Sequence, residues 1–216
     1  MEHFIKRFTI IDFLSMFIPG GILILALNYY VGDVAAPEKL LFGDNDLILA
    51  VYFVMISYIT GMVLQEVSKP LERLWKHDLK ALNDEWQKIP DVMEFYQKRF
   101  GNIIGVEDGV SNETAARNIY LYVSDASRID SKLDLFHAFS SMGRNSAAAG
   151  VIIALISLRN PEYAGSFTVT VVSLAFTVIM AIRNKRFFRL TQEWAYRDFL
   201  KLYEEEESKS RTVAAV

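Results

Sequence analysis

The sequence predicts an all-α membrane protein: four transmembrane helices, a helical cytoplasmic domain between the second and third, and a cytoplasmic helical tail. Three observations carry that reading. Charged residues leave four windows empty, Phe13–Gly32, Leu47–Gln65, Asn145–Leu158 and Tyr163–Ile182, of 20, 19, 14 and 20 residues. A helix needs roughly 18 or more apolar residues to cross the hydrocarbon of a bilayer. The long segment from Glu66 to Arg144 keeps its apolar residues at helical spacing. Finally, of 23 Lys and Arg, only Lys39 falls between the first two windows and only Arg159 between the last two. The overall apolar share, 52%, is close to that of globular chains; the distribution decides the class.

The first span is expected over about residues 10–31. Lys6 and Arg7 precede it as they would a signal peptide, but the run is too long for a signal core, so it reads as a retained anchor. Asp12 sits at its inner edge as a candidate interfacial anchor. Pro19, Gly20 and Gly21 predict a kink or break, because proline removes an in-helix hydrogen bond and glycine loosens the backbone. They are the candidate pore-lining or gating positions. The second span, about 47–65, follows an acidic loop and carries Gly61 as a candidate packing residue. Residues 1–65 thus form an N-terminal hairpin.

Residues 66–143 read as the cytoplasmic domain. Leu71, Leu74, Trp75, Leu79, Leu82 and Trp86 share one helix face ahead of Pro90, and Asp91–Phe100 forms a second short helix. Ser111 or Asn112 can cap a third, with Ala116, Ile119, Tyr120 and Val123 on one face. A fourth begins near Ile129 and runs without a break into the third window, which alone is only about 21 Å long against roughly 30 Å of hydrocarbon.

Residues 144–183 form the second hairpin. Arg144 and Arg159 bound its first arm and are candidate interfacial anchors whose side chains can snorkel outward. Ser146 and Gly150 make a small-xxx-small pair that lets another helix approach, from span one or from a second protomer. Residues 184–216 read as an amphipathic cytoplasmic helix to Glu207, then a disordered end. Lys6 and Arg7 before the first span, and Arg183, Lys185, Arg186 and Arg189 after the last, place both termini on the cytoplasmic side.

The chemistry the sequence offers is sparse. There is no cysteine, which excludes disulfides, thiolate metal sites and cysteine nucleophiles. A net charge of −3 exerts no general pull on nucleic acid, and no direct nucleic-acid binding is expected. Nucleotide-binding and acyl-transfer motifs are absent. Asp130, Asp134 and His137 fall on one helix face, yet no second ligand cluster accompanies them, so neither a metal nor any other cofactor is expected. Arg117-Asn118 and Arg144-Asn145 resemble the Arg-polar pair of HEPN ribonucleases. Neither is followed by the histidine that family carries four to six positions later, and Arg128 and His137 have eight residues between them. Ser57, Thr60, Gln65 and Asn28 are the polar residues noted within the spans. No charge lies at mid-depth, which weighs against an ion-coupled transporter.

One resemblance arises from separated pieces of the chain. Asp12–Gly21, with its Phe17-Ile18-Pro19-Gly20 element, resembles the opening of small bacterial four-span membrane proteins. Ser57–Gln65 is similar to their second span and Phe139–Asn145 to the entry of their third. Some of that group look like membrane accessory or effector proteins of phage defence, including those beside RNA-targeting CRISPR systems. The resemblance implies a homo-oligomeric, channel-like effector that alters membrane permeability under control of its cytoplasmic helices. Two other readings stay open: a non-conducting anchor or scaffold that recruits a soluble cytoplasmic partner, and a membrane-tethered ribonuclease.

Overall fold

A computed structural model describes residues 13–31, 46–73, 112–126, 132–162 and 165–214 of the chain, and they are helical apart from one short turn. One π-helical turn, Phe13–Phe17, leads into α1, Ile18–Val31. There follow α2, Asp46–Arg73; α3, Asn112–Ala126; α4, Lys132–Arg159; and α5, Ser166–Ala214. Four of these stretches are long and apolar enough to cross a membrane: Phe13–Tyr30, Leu47–Leu71, Lys132–Arg159 and Ser166–Glu205. The all-helical class and the four spans are therefore as the sequence predicts.

The local chemistry explains the ends. Pro19 occupies the first turn of α1, where a missing N–H costs least. The expected disturbance appears one residue upstream as a change of helix type, from π to α between Phe17 and Ile18. At the C-terminal end of α4, Asn160 Nδ2 donates to the carbonyl of Ile156 over 2.8 Å, holding one of the last turn's open acceptors. Gly165 adopts φ +83°, a conformation that favours glycine, and its carbonyl accepts from the Val169 N–H at 2.9 Å.

Three helices run past the limits drawn from hydropathy. Span two does not stop at Gln65 but continues to Arg73. Helix α4 does begin far upstream of its apolar window, as expected. Helix α5 spans 49 residues without a break, about 74 Å at 1.5 Å per residue, more than twice the ~30 Å hydrocarbon thickness. The disordered end expected from Ser208 is corrected: α5 extends through Ala214. Glutamates stand four residues before Lys209 and Arg211 in the sequence, the order that supports a helix, and Ser208 Oγ donates back to the Glu205 carbonyl.

The chain divides into two compact units, Met1–Arg73 with His137–Phe187, and Leu74–Phe136 with Phe188–Val216. The first holds Phe13–Tyr30 and Leu47–Leu71 whole and, from His137 to Arg159 and from Ser166 to Phe187, parts of the other two spanning stretches. Its apolar core is Leu23 from α1, Leu64 from α2, and Ala148, Ala149 and Ile153 from α4. Helix α4 is the central element: 61% of its spanning window is buried, against 17% for α2. That explains why its apolar window is the shortest, since most of its surface meets protein rather than lipid.

In the second unit, Ile119 and Val123 of α3 pack with Leu133, Ala195, Tyr196 and Phe199. Ile119 and Val123 are two of the positions the periodicity assigns to one helix face. Tyr122 meets Phe199 edge-on at 5.9 Å. Trp194 is flanked by Lys132 Nζ at 5.1 Å and by the Arg197 guanidinium at 5.2 Å. The helices expected over 74–86 and 91–100, along with Asp12, Arg128 and Asp130, lie outside the described residues.

The buried polar interior as the candidate functional site

Two layers of buried polar side chains flank the apolar core around α4. In the first layer, Asn145 is fully buried. Its Nδ2 donates to the Ser15 carbonyl at 2.6 Å, and its Oδ1 accepts from Ser68 Oγ at 2.6 Å. A carbonyl can only accept, so the Ser15 contact fixes the amide orientation and makes Ser68 the donor. One side chain thus ties α4 to span one and to α2. Arg144, its neighbour in sequence, is 4% exposed. It interacts electrostatically with Glu66, which is also ion-paired to Lys69 on the surface of α2.

In the second layer, Ser157 and Ser166 exchange hydrogen bonds across the α4–α5 turn. Ser157 Oγ donates to the Ser166 carbonyl at 2.6 Å, and Ser166 Oγ donates to the Ser157 carbonyl. Both serine protons are then committed, so Tyr30, only 3% exposed, donates to Ser157 Oγ across 2.9 Å. Span one is therefore held to α4 at both ends, Ser15 to Asn145 and Tyr30 to Ser157, which makes the two segments parallel.

Helices α4 and α5 meet along a seam of small and polar residues. On α4 it comprises Ser140, Gly143, Ala147, Gly150, Ala154 and Ser157. On α5 it comprises Ser166, Thr170, Ser173, Thr177, Met180 and Asn184. Steps of three and four alternate on both sides, a 3.5-residue period that keeps one seam facing its partner in left-handed packing. Ser140 Oγ donates to Asn184 Oδ1 at 3.0 Å, and Thr177 Oγ1 lies 3.4 Å from the Ala147 carbonyl. A Cβ added at Gly143 would meet the Asn184 nitrogen and the Met180 carbonyl oxygen, each at 3.0 Å.

The residues singled out from sequence can now be placed. Pro19, Gly20 and Gly21 are buried inside the unit. A Cβ on Gly20 would lie 1.8 Å from the Ser57 carbonyl oxygen, and one on Gly61 would lie 2.0 Å from the Met16 carbonyl oxygen. Span one and α2 thus cross backbone to backbone, with Gly61 in the packing role expected of it. Gly150 packs on α5, where its Cβ would meet Thr177 Oγ1 at 2.4 Å. Ser146 is buried but lies off the α4–α5 seam, one position from Ala147. Arg159 is exposed at the C-terminal end of α4. Arg144 does not end a helix: α4 begins twelve residues before it, at Lys132, and the side chain is buried.

Of the polar residues noted in the spans, Asn28 is exposed and Thr60 and Gln65 are half-buried. Ser57 Oγ is buried with no hydrogen bond among the described residues. Of the residues that join the spans, Ser15, Tyr30, Ser68, Ser157, Ser166 and Asn184 carry no site expectation from the sequence, and Asn145 enters it only as the polar member of Arg144-Asn145. The available signal was serine and threonine recurring at heptad spacing from Ser166 to Thr177. Among the described residues, no three His, Asp or Glu side chains gather as metal ligands. What the arrangement can do chemically is bind helices together. In comparisons with protein-family models, curated proteins and solved structures, the chain matches none.

Proposed function

We propose that the chain is a multi-pass protein of the bacterial inner membrane whose four-span unit is a non-conducting anchor. It holds the second helical unit at the cytoplasmic face, with both termini inside, as a scaffold for a soluble partner. One observation carries this reading over the pore expected from the resemblance: where the spans face outward at mid-depth, they are apolar. The exposed residues of α2 from Leu47 to Val63 are Leu47, Ile48, Ala50, Val51, Val54, Met55, Ile59, Met62 and Val63. Those of α4 from Val151 to Leu158 are Val151, Leu155 and Leu158, and those of α5 from Val171 to Ile182 are equally apolar. An aqueous path between protomers needs polar groups along its wall, whereas these faces suit lipid. Pro19, Gly20 and Gly21 are turned into the protein, which supports a packing role for them.

The test is purified protein reconstituted into liposomes loaded with a self-quenching dye and with a potassium-sensitive reporter. The anchor reading expects the protein to remain bilayer-bound through carbonate washing while neither signal exceeds that of empty vesicles. Leak that scales with protein density and appears with a multimeric particle would overturn it in favour of the oligomeric pore. Topology reporters fused after Val216 and within residues 33–45 test the orientation, active inside and outside respectively.

A further inference from the structure

We infer that the inner end of α5 carries a binding surface for the headgroups of anionic phospholipids, formed by Arg183, Lys185 and Arg186. The inference rests on the membrane reading above and adds a lipid class to it. The outward face of α5 is apolar from Val171 to Ile182. At 3.6 residues per turn, Lys185 and Arg186 fall on the arc of Val171, Val178 and Ile182, Arg183 falls at the edge of the exposed face beside Val172 and Ile179, and all three cations are exposed. The surface that meets lipid tails therefore turns cationic within one helical turn, about 6 Å at most below Ile182.

The opposite arc of α5, with Ser173, Thr177 and Asn184, is committed to α4. The three cations are thus held at a fixed rotation toward the bilayer. Arg183 further lays its guanidinium 5.8 Å from the Phe187 ring centre, an arrangement that directs its stem along an aromatic face.

Charge selects the occupant. Among the described cations near the inner ends of the spans, Lys69 is ion-paired to Glu66, and Arg189, farther along α5, is paired to Glu193 at 2.6 Å. Arg183 and Arg186 carry no such carboxylate partner in their own helix turn, since the nearest acid following them in the chain is Glu193. Zwitterionic headgroups offer no net charge to these clustered cations, whereas anionic ones do.

The experiment compares thermal unfolding of the full chain in nanodiscs of phosphatidylcholine alone and of phosphatidylcholine with 30% phosphatidylglycerol, about that fraction being enough to charge the surface. The expected result is a midpoint higher by about 5 °C in the anionic discs, abolished by R183Q/K185Q/R186Q and kept by R183K/R186K. Equal midpoints for the wild type in the two discs would overturn the inference, whatever the variants do. So would a shift that survives in the triple glutamine variant, or one that soluble inorganic phosphate reproduces in neutral discs. Incorporation of wild-type protein into the neutral discs separates the outcomes: if it fails there, the membrane reading itself has failed.

Discussion

Asn145 donates its amide hydrogen to the backbone carbonyl of Ser15 across 2.6 Å, and Ser15 stands four residues before Pro19. In a regular helix that carbonyl would receive the N–H of residue 19, which proline lacks. A backbone acceptor opened by one helix is thus satisfied by the side chain of another, the condition under which proline is tolerated at membrane depth. Asn145→Ala is expected to cost about 1–2 kcal/mol, since inter-helix hydrogen bonds in membranes contribute modestly. Pro19→Ala should cost less in the Asn145→Ala background than alone, because it supplies the missing in-helix donor. Thermal unfolding of the two single variants and the double variant in detergent measures the coupling. Strict additivity would show that the two residues act separately.

The crossing of span one and α2 makes a sharper demand. A Cβ at Gly20 or Gly61 falls 1.8 or 2.0 Å from a backbone oxygen, while one at Gly21 meets nothing closer than 3.6 Å. Backbone cannot step aside as a side chain can, so Gly20→Ala and Gly61→Ala must push the helices apart. Each is expected to cost about 1–3 kcal/mol, the usual range for overpacking, and Gly21→Ala within about 0.5 kcal/mol of wild type. Residual fluorescence of a fused reporter after heating and size exclusion ranks the three. A ranking in which Gly21→Ala is the most damaging would contradict this crossing.

The layer of Tyr30, Ser157 and Ser166 predicts an asymmetry between its members. Tyr30 only donates to Ser157 Oγ, and Ser157 keeps its bonds to Ser166 when the phenol is removed. Tyr30→Phe retains the packed ring and should cost under about 1 kcal/mol. Ser166→Ala deletes the donor to the Ser157 carbonyl at a buried site and should cost more, about 1–2 kcal/mol. Unfolding midpoints of both variants in the same detergent test the order.

Much of this architecture was legible from residue chemistry. Long uncharged windows gave the four spans, and the upstream spacing of Leu133, Phe136 and Ser140 gave the continuous entry into α4. The interior was harder to read because hydropathy scores exposure to lipid, and the helix that matters most for packing is turned away from it. Arg144 and Asn145 look like the end of a span when ranked by charge, yet both lie inside the protein. Residues from Ser208 read as a disordered end, whereas Glu205 and Glu207, each four residues before a cation, favour helix through Ala214. Pro19 was noticed as a disturbance, but a single sequence does not say which distant amide answers it.

The α4–α5 seam yields a prediction that separates side-chain from backbone crowding. At Gly150 the nearest obstacle to a methyl group is Thr177 Oγ1 at 2.4 Å, the end of a side chain, with the Ser173 carbonyl oxygen next at 3.1 Å; at Gly143 the obstacles at 3.0 Å are both backbone, the Asn184 nitrogen and the Met180 carbonyl oxygen. Gly150→Ala should therefore destabilise by about 1 kcal/mol or more and be partly rescued by Thr177→Ala, which vacates the space. Gly143→Ala should not be rescued by that change, because the backbone of α5 stays in place. Since the spacing of Ser146 and Gly150 also suggested contact with a second protomer, particle mass must be recorded beside each midpoint. An effect of Gly150→Ala on mass with none on the midpoint would assign Gly150 to an intermolecular contact. A lowered midpoint at constant mass, restored by Thr177→Ala, is the outcome that packing against α5 requires.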